Sequence, residues 1–205
     1  MQCFAGFCSK DGLVKYFAEN EGSSIASIHF RDLTGDGLDE IIVTLHGMEI
    51  IPFFIFTASR NDLRMLYSFS HMDSSTSNYR DEFFFSGTCD SNLQAVIRSN
   101  YTDMEDRFDL SYFISEIYQH GENTSFEDGK FEFIFLFPGG LEFLDIGKGM
   151  YELKCNGEVR LLYTGREAYI NEAIALSYVY LSYDVQNDML VVTKTDVILK
   201  CRILL

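Results

Sequence analysis

The sequence predicts a mainly β fold of antiparallel hairpins with two or three helices. Short runs rich in β-branched and aromatic residues recur along the chain, and polar or glycine-containing turns separate them. Only two prolines occur among the 205 residues, and 47% of the residues are hydrophobic. We therefore predict a single domain over residues 1–205 with a sizeable core. Hairpins of similar size would also suit a β-propeller, and an α+β fold is the alternative.

The first predicted element is a helix over residues 10–20, in which four apolar residues share one helical face. They are Leu13, Val14, Phe17 and Ala18, with Ser9 as the N-cap and Gly22 as the stop. Residues 25–30 and 40–45 then read as two strands, because both are rich in β-branched side chains. An acidic loop lies between these two strands.

Beyond residue 50 the chain alternates between β-prone runs and turns. Residues 52–59 and 63–70 form the clearest hairpin, and the polar stretches 71–81 and 99–109 read as loops. Asn156 and Gly157 suit a type I′ turn between two strands. The predicted strands of this part are 82–85, 93–99, 131–137, 150–154, 158–163, 178–183, 189–193 and 197–205.

Two further segments have helical spacing. The stronger one follows the i, i+3, i+4, i+7, i+8 pattern, and the second, over residues 166–177, could equally continue as a strand. The stronger helix is marked by Leu110, Phe113, Ile114, Ile117 and Tyr118, with Asp109 as the cap and Gly121 as the stop.

The charge balance limits the classes of partner. The chain carries 31 acidic and 16 basic residues, a formal net charge of −15. Because nucleic-acid affinity comes largely from cationic side chains, we expect no nucleic-acid partner. We also expect no membrane insertion, since no apolar run approaches the roughly 18 residues of a membrane span. A protein or glycan partner remains compatible with this surface.

The most informative stretch is the acidic loop, residues 32–40. Calcium prefers about six to eight oxygen ligands, and short loops supply them from alternating positions. Gly35 and Gly37 allow the tight backbone that such a loop needs. Five residues are the candidate metal ligands: the side chains of Asp32, Thr34, Asp36 and Glu40, and the carbonyl of Leu38.

Two other interpretations of the loop were compared with calcium binding. A helix-loop-helix calcium hand needs a glutamate at position twelve, where this chain has Val43, so that interpretation fails. The second interpretation is a metal-free turn in which Asp32 and Thr34 bond to nearby backbone amides. Because a hydroxyl is a poorer ligand than a carboxylate, Thr34 favours weak calcium binding.

The motif D-x-[DN]-x-D-G-x-x-[DE] followed by a hydrophobic strand is matched by residues 30–43, except at Thr34. This pattern resembles the calcium loop of FG-GAP and VCBS-type repeats, in a single copy as in some bacterial proteins. The resemblance covers residues 10–70 only. It implies a structural calcium ion in a loop that joins two β-strands, and it favours an extracellular or cell-envelope location.

No enzyme motif stands out. The four histidines are scattered, and His29, beside the loop, reads as a strand-face residue. The five cysteines lack zinc-site spacing and read as free thiols. We therefore predict a non-enzymatic binding or interaction domain with one structural calcium-type loop. The alternatives are a hydrolase with an unidentified carboxylate pair and a metal-free structural domain.

Overall fold

The computed structural model describes residues 4–8, 14–18, 24–46, 53–58, 63–69, 84–111, 114, 130–136, 140–164 and 169–200. Within them the fold is mainly β, as predicted from the sequence, and the strand pairs whose register is known are antiparallel. The strands belong to four sheets. A β-propeller is not shown by this arrangement.

The acidic loop belongs to a four-stranded sheet of order β3-β4-β5-β6. Its strands are β3 (Ser24–Arg31), β4 (Glu40–His46), β5 (Phe53–Ala58) and β6 (Leu63–Phe69). The sequence predicted all four within two residues, because each is a short β-prone run bounded by polar residues. The turn between β5 and β6, residues 59–62, lies outside the described residues.

Both faces of this sheet are apolar at its centre. On one face Ile41, Val43 and Phe56 form a buried cluster, against which Phe54 and Leu63 pack. On the opposite face, Ile42 and Ile55 pair across β4 and β5 with no exposed surface. The two central strands are thus held by burial on both sides, which fixes the point where the acidic loop enters β4.

The predicted helix over residues 10–20 is wrong where it can be compared. Residues Val14–Ala18 form strand β2, which pairs antiparallel with β1 (Phe4–Cys8). A run as short as Val14-Lys15-Tyr16-Phe17-Ala18 suits either period, and its hydrogen bonds to β1 select the strand. Residues 10–13 and 19–20 lie outside the described residues.

A three-stranded sheet of order β7-β8-β9 follows. Its strands are β7 (Phe85–Cys89), β8 (Gln94–Ser99) and β9 (Glu105–Asp109). The sequence placed residues 86–92 in a turn and 99–109 in a loop, and both boundaries are wrong. The polar residues of β7 and β9 alternate with buried Phe85 and Phe108, so pairing with β8 outweighs their low strand propensity.

The fourth sheet has the order β10-β12-β13-β14, with β11 also paired to β12. Its strands are β10 (Lys130–Leu136), β11 (Leu141–Gly147), β12 (Met150–Thr164), β13 (Tyr169–Asp184) and β14 (Met189–Leu199). The predicted runs 178–183 and 189–193 fall within these strands, and the run 131–137 agrees with β10 over residues 131–136, whereas β11 was not predicted. The ambiguous segment 166–177 is a strand from Tyr169 onwards.

The predicted turn at Asn156-Gly157 is wrong. Residues 150–164 form one continuous strand in which alternate residues from Leu153 to Tyr163 are buried. Glu158–Thr164 pairs with β10 instead of folding back on residues 150–154. The turn lies earlier, at Gly147, Lys148 and Gly149, which all have positive φ angles.

α-Helical conformation among the described residues occurs only at Ser111 and Ile114, and Lys200 has 3₁₀ conformation. The amide of Ile114 donates to the carbonyl of Leu110 at 2.9 Å, and the amide of Ser111 donates to the Asp109 carboxylate at 2.9 Å. These contacts agree with a helix start capped by Asp109. The rest of the predicted helix lies outside the described residues, and the count of two or three helices is not confirmed.

The chain divides into two compact units. Unit 1 contains residues 1–82, 140–154 and 181–191, and unit 2 contains residues 83–139, 155–180 and 192–205. The acidic loop belongs to unit 1. The single domain over residues 1–205 stays a prediction.

None of the described helical residues belongs to a helix long and apolar enough to cross a bilayer.

Candidate functional site: the acidic loop between β3 and β4

The acidic loop connects two directly paired strands. Arg31, the last residue of β3, lies opposite Glu40, the first residue of β4. Gly35 and Gly37 have φ angles of +78° and +85°, a region that residues with a Cβ atom rarely adopt. The two glycines therefore let eight residues turn back within the width of one strand pair.

Asp32 closes the first half of the loop. Its Oδ1 accepts the backbone N–H of Gly35 at 2.6 Å, and its Oδ2 accepts that of Gly37 at 2.9 Å. Hydrogen bonds from amides to an ionised carboxylate are stronger than those between neutral groups. Only 8% of the Asp32 surface is exposed, so its carboxylate stabilises the loop backbone from a buried position.

Glu40 closes the second half of the loop from the other side. Its Oε2 accepts the N–H of Leu33 at 2.7 Å and that of Thr34 at 3.1 Å. The hydroxyl of Thr34 donates to Oε1 at 3.5 Å, and the Thr57 side chain on β5 is a further hydrogen-bond partner. Glu40 has no exposed surface, so these donors replace the water that a carboxylate would otherwise bind.

The charge of Glu40 is opposed by its surroundings. Burial raises the pKa of Glu40, and the negative charge of Asp36 raises it further. Hydrogen bonds from Leu33, Thr34 and Thr57 act in the opposite direction, because they stabilise the charged form. The net shift is upward, so burial disfavours the charged form of Glu40 more than its hydrogen-bond donors favour it.

The tip of the loop is exposed. Asp36 accepts the backbone N–H of Leu38 at 2.8 Å, and Asp36, Leu38 and Asp39 are all exposed. Of the five predicted ligands, Thr34 and Glu40 are in direct hydrogen-bond contact, and Asp32 is buried. Asp36 and Leu38 lie at the exposed tip, where the Leu38 amide donates a hydrogen bond to the Asp36 carboxylate.

The loop is anchored to β12, which sequence spacing could not show. The amide of Tyr151 donates to the carbonyl of Asp32 at 2.9 Å. A Cβ atom on Gly35 would lie 2.4 Å from the Met150 sulfur, so Met150 packs directly on the loop backbone. Arg31 contributes a third contact, because its guanidinium lies 5.7 Å from the centre of the Tyr151 ring.

The loop offers a calcium ion suitable donor atoms. The donor set contains oxygen only, which is the chemistry that calcium prefers. Asp32 offers four lone-pair sites and uses two of them for amides, so acceptor capacity remains. Among the described residues, however, no three His, Cys, Asp or Glu side chains already converge as a metal site. The donor chemistry therefore fits calcium. In this structure, however, the carboxylates of Asp32 and Glu40 accept hydrogen bonds from backbone amides of the loop.

His29 lies on β3 just before the loop, as a half-buried strand residue. Its Nε2 is 2.9 Å from the Ser27 hydroxyl, and its ring centre is 5.2 Å from that of Phe143. These two contacts are with a neighbour on β3 and with a residue of β11.

The other perturbed carboxylates have local structural partners. Glu105, Asp109, Asp184 and Asp188 have lowered pKa values, each caused first by a side-chain hydrogen bond. Glu40 is the one described carboxylate whose pKa is resolved as raised. A pair of carboxylates with pKa values displaced in opposite senses at one cleft would indicate acid–base catalysis. The described residues do not supply such a pair.

The two described cysteine thiols are free. Burial raises the pKa of Cys89 to about 11, and burial alone raises the pKa of Cys155 still further. Because the thiolate is the reactive form of cysteine, both thiols are protonated and unreactive at neutral pH.

Comparison with known proteins gave no relative: no protein-family model, no curated protein and no solved structure matches this chain. The resemblance of residues 10–70 to FG-GAP and VCBS-type repeats therefore stays a prediction, and the case for a function comes from the loop itself.

Proposed function

We propose that this chain is a non-enzymatic binding or interaction domain whose acidic loop holds one calcium ion in a structural role. The observation that carries the proposal is the buried carboxylate of Glu40 beside the charge of Asp36. No described Lys or Arg forms an ion pair with Asp32, Asp36 or Glu40, and the nearby Arg31 lies over aromatic rings. A divalent cation would supply the missing positive charge.

Calcium would be held by five oxygen-bearing groups. They are the side chains of Asp32, Thr34, Asp36 and Glu40 and the carbonyl of Leu38. The ion would compensate the charge of these carboxylates and would take no part in a reaction. For Asp36 to join the set, its carboxylate would have to release the N–H of Leu38, which it now accepts. That rearrangement and the neutral hydroxyl of Thr34 favour weak binding, in the millimolar range of extracellular modules.

A structural role is supported by the burial of the two carboxylates that begin and end the loop, Asp32 and Glu40. Glu40 has no exposed surface, and both oxygens of Asp32 accept loop amides. A substrate would need open coordination positions, whereas these two carboxylates already accept hydrogen bonds from the loop and from Thr57 on β5. The partner of the domain, a protein or a glycan, would bind elsewhere on its surface.

Thermal unfolding with and without calcium tests this proposal. At about 10 mM calcium and a Kd of about 1 mM, linkage gives about 1.4 kcal/mol, which raises the melting temperature by about 3–6 °C. The comparison uses calcium, magnesium and EDTA, with Asp36→Asn as the test variant and Asp39→Asn as its exposed neighbour. The proposal predicts a calcium-specific rise that Asp36→Asn loses and Asp39→Asn keeps. Equal melting temperatures in calcium and EDTA would exclude it.

A further inference from the structure

Three side chains next to the acidic loop form a hydrogen-bonded chain that the calcium proposal does not use. The Ser27 hydroxyl lies 2.9 Å from Nε2 of His29 and 2.6 Å from the hydroxyl of Thr44. Ser27 and His29 are two residues apart on β3, so their side chains share one face. Thr44 lies opposite Ser27 on β4.

A register shift between Ile25 and Ser27 sets this pairing. A bulge inserts one extra residue into a strand and redirects the neighbouring side chains. In β3 it places Ser27, not Ala26, against Thr44. The fold therefore specifies the Ser27–Thr44 contact through the sheet and the Ser27–His29 contact through the strand period.

The chemistry of this chain is that of a nucleophile beside a base. When the ring proton is on Nδ1, the Nε2 atom of His29 accepts the Ser27 proton, and Thr44 can donate to the Ser27 oxygen. A serine hydroxyl is a weak nucleophile until an adjacent base accepts its proton. The tilted ring of Phe143, at 5.2 Å, packs against the imidazole and limits its rotation.

The reactivity of the Ser27–His29 pair depends on its exposure to solvent and on the groups that contact His29. Ser27 and His29 are half-buried, whereas Thr44 is buried with 6% of its surface exposed. In a catalytic triad a carboxylate stabilises the imidazolium, and an oxyanion hole stabilises the tetrahedral intermediate. Within the part of the chain that the structure describes, no carboxylate is bonded to His29. The pair is therefore suited to a single covalent event and not to turnover.

We propose that Ser27 is a site of covalent acylation, activated by His29, for acyl groups carried on an activated ester or thioester. The Ser27 oxygen forms a bond to the acyl carbon, and the bond from that carbon to the leaving oxygen or sulfur breaks. The serine proton passes to Nε2 of His29 and then to the leaving group. The product is an O-acyl serine, and neither an oxidant nor a metal takes part.

The test uses p-nitrophenyl acetate with the folded chain. We expect release of one equivalent of p-nitrophenolate, one added acetyl group in the intact mass, and its location on Ser27 by peptide mapping. Ser27→Ala removes this adduct, and His29→Gln slows its formation by about 100-fold or more, the lower range for general-base assistance. Ser182→Ala is the matched control, because Ser182 is also half-buried but donates to the Glu152 carboxylate at 2.7 Å.

Several results would overturn the inference. They are acetylation spread over lysines with no excess at Ser27, an equal rate at Ser27 in His29→Gln, and an equal rate in the urea-unfolded chain. Circular dichroism of each variant shows whether it folds. If Ser27→Ala does not fold, the mapped position of the acetyl group in the unaltered chain and the rate in His29→Gln still decide the question. Addition of EDTA leaves the expected result unchanged, so failure here is distinct from failure of the calcium proposal.

Discussion

The Oε2 atom of Glu40 accepts the backbone N–H of Leu33, seven residues earlier, at 2.7 Å, and neither residue has any exposed surface. This hydrogen bond ties the start of the acidic loop to the start of β4. Because a buried amide without a partner is expensive, the Glu40 carboxylate is as much a structural element as a potential ligand. The first prediction follows from this relationship.

Glu40→Ala should strongly destabilise the chain. The substitution leaves the amides of Leu33 and Thr34 without an acceptor, at about 1–3 kcal/mol for each buried unsatisfied group. Glu40→Gln keeps one oxygen for these amides and should cost less. Urea unfolding gives the free energy of unfolding for both variants, with Asp39→Ala as the exposed control. Equal stability of Glu40→Ala and Asp39→Ala would contradict the structural role.

Gly35→Ala and Gly37→Ala should differ in their effects, although both sites have positive φ. For Gly37 only the backbone strain applies, about 1–2 kcal/mol, because a Cβ atom there meets nothing within 4 Å. For Gly35 the new Cβ would also lie 2.4 Å from the Met150 sulfur. Chemical unfolding should therefore show the larger loss for Gly35→Ala. Identical losses would mean that Met150 moves aside freely.

Ser177→Ala should leave stability unchanged or raise it. The Ser177 hydroxyl is fully buried on β13 and finds no hydrogen-bond partner among the described residues. Its removal relieves an unsatisfied group and should raise the free energy of unfolding by up to about 1 kcal/mol. Thr195→Val is the contrasting variant, because the buried Thr195 hydroxyl lies 2.6 Å from that of Thr102. A loss above about 1 kcal/mol in Ser177→Ala would show that its hydroxyl is satisfied.

The ion pair between Asp188 and Arg64 should contribute to acid unfolding. The Arg64 side chain lowers the pKa of Asp188, with a second hydrogen bond from Tyr183. Because the folded-state pKa lies below the unfolded value of about 3.9, this contribution is present above that pH and is lost as the pH falls through the folded-state pKa. At neutral pH the free energy of unfolding of Asp188→Asn should therefore be lower than that of the unaltered chain. The two values should become equal as the pH falls through the folded-state pKa of Asp188.

Asn is suitable at this position because Asp188 has a φ of +52°, a region that Asn tolerates. Urea unfolding at several pH values measures the difference between the two chains. Asp39→Asn provides the exposed control. A difference that stays constant from neutral pH to about pH 2 would show that the charge of Asp188 makes no contribution.

The sequence predicted the strands around the loop well and other elements less well. Strands β3 to β6 are short β-prone runs with polar ends, so local composition was sufficient. Residues 150–164 were divided at Asn156-Gly157 because that pair favours a tight turn by itself. In the fold this strand has a partner, β10, along residues Glu158–Thr164, and the ladder of hydrogen bonds keeps it extended. Pairing between distant segments cannot be read from a local turn motif.

The candidate site shows the same division. The alternation of Asp32, Thr34 and Asp36 with two glycines was enough to predict a tight oxygen-rich loop. It could not show that Glu40 would be fully buried, since that depends on Thr57 and on the packing of β5. Nor could it predict Tyr151, whose amide bonds to a residue more than a hundred positions away.

By itself, the sequence determined the net negative charge, the β character and the oxygen-rich composition of the loop, because these depend on residue type and on neighbours along the chain. The tertiary structure decided which segments pair, that β12 continues through Asn156-Gly157 without a turn, and which groups the carboxylates of Asp32 and Glu40 accept hydrogen bonds from. The physical reason is that a buried carboxylate or amide is directed by the partners that exclude water from it. In this chain those partners are amides of the loop, together with Thr57 on β5 and the amide of Tyr151 on β12, which only the fold brings to the loop.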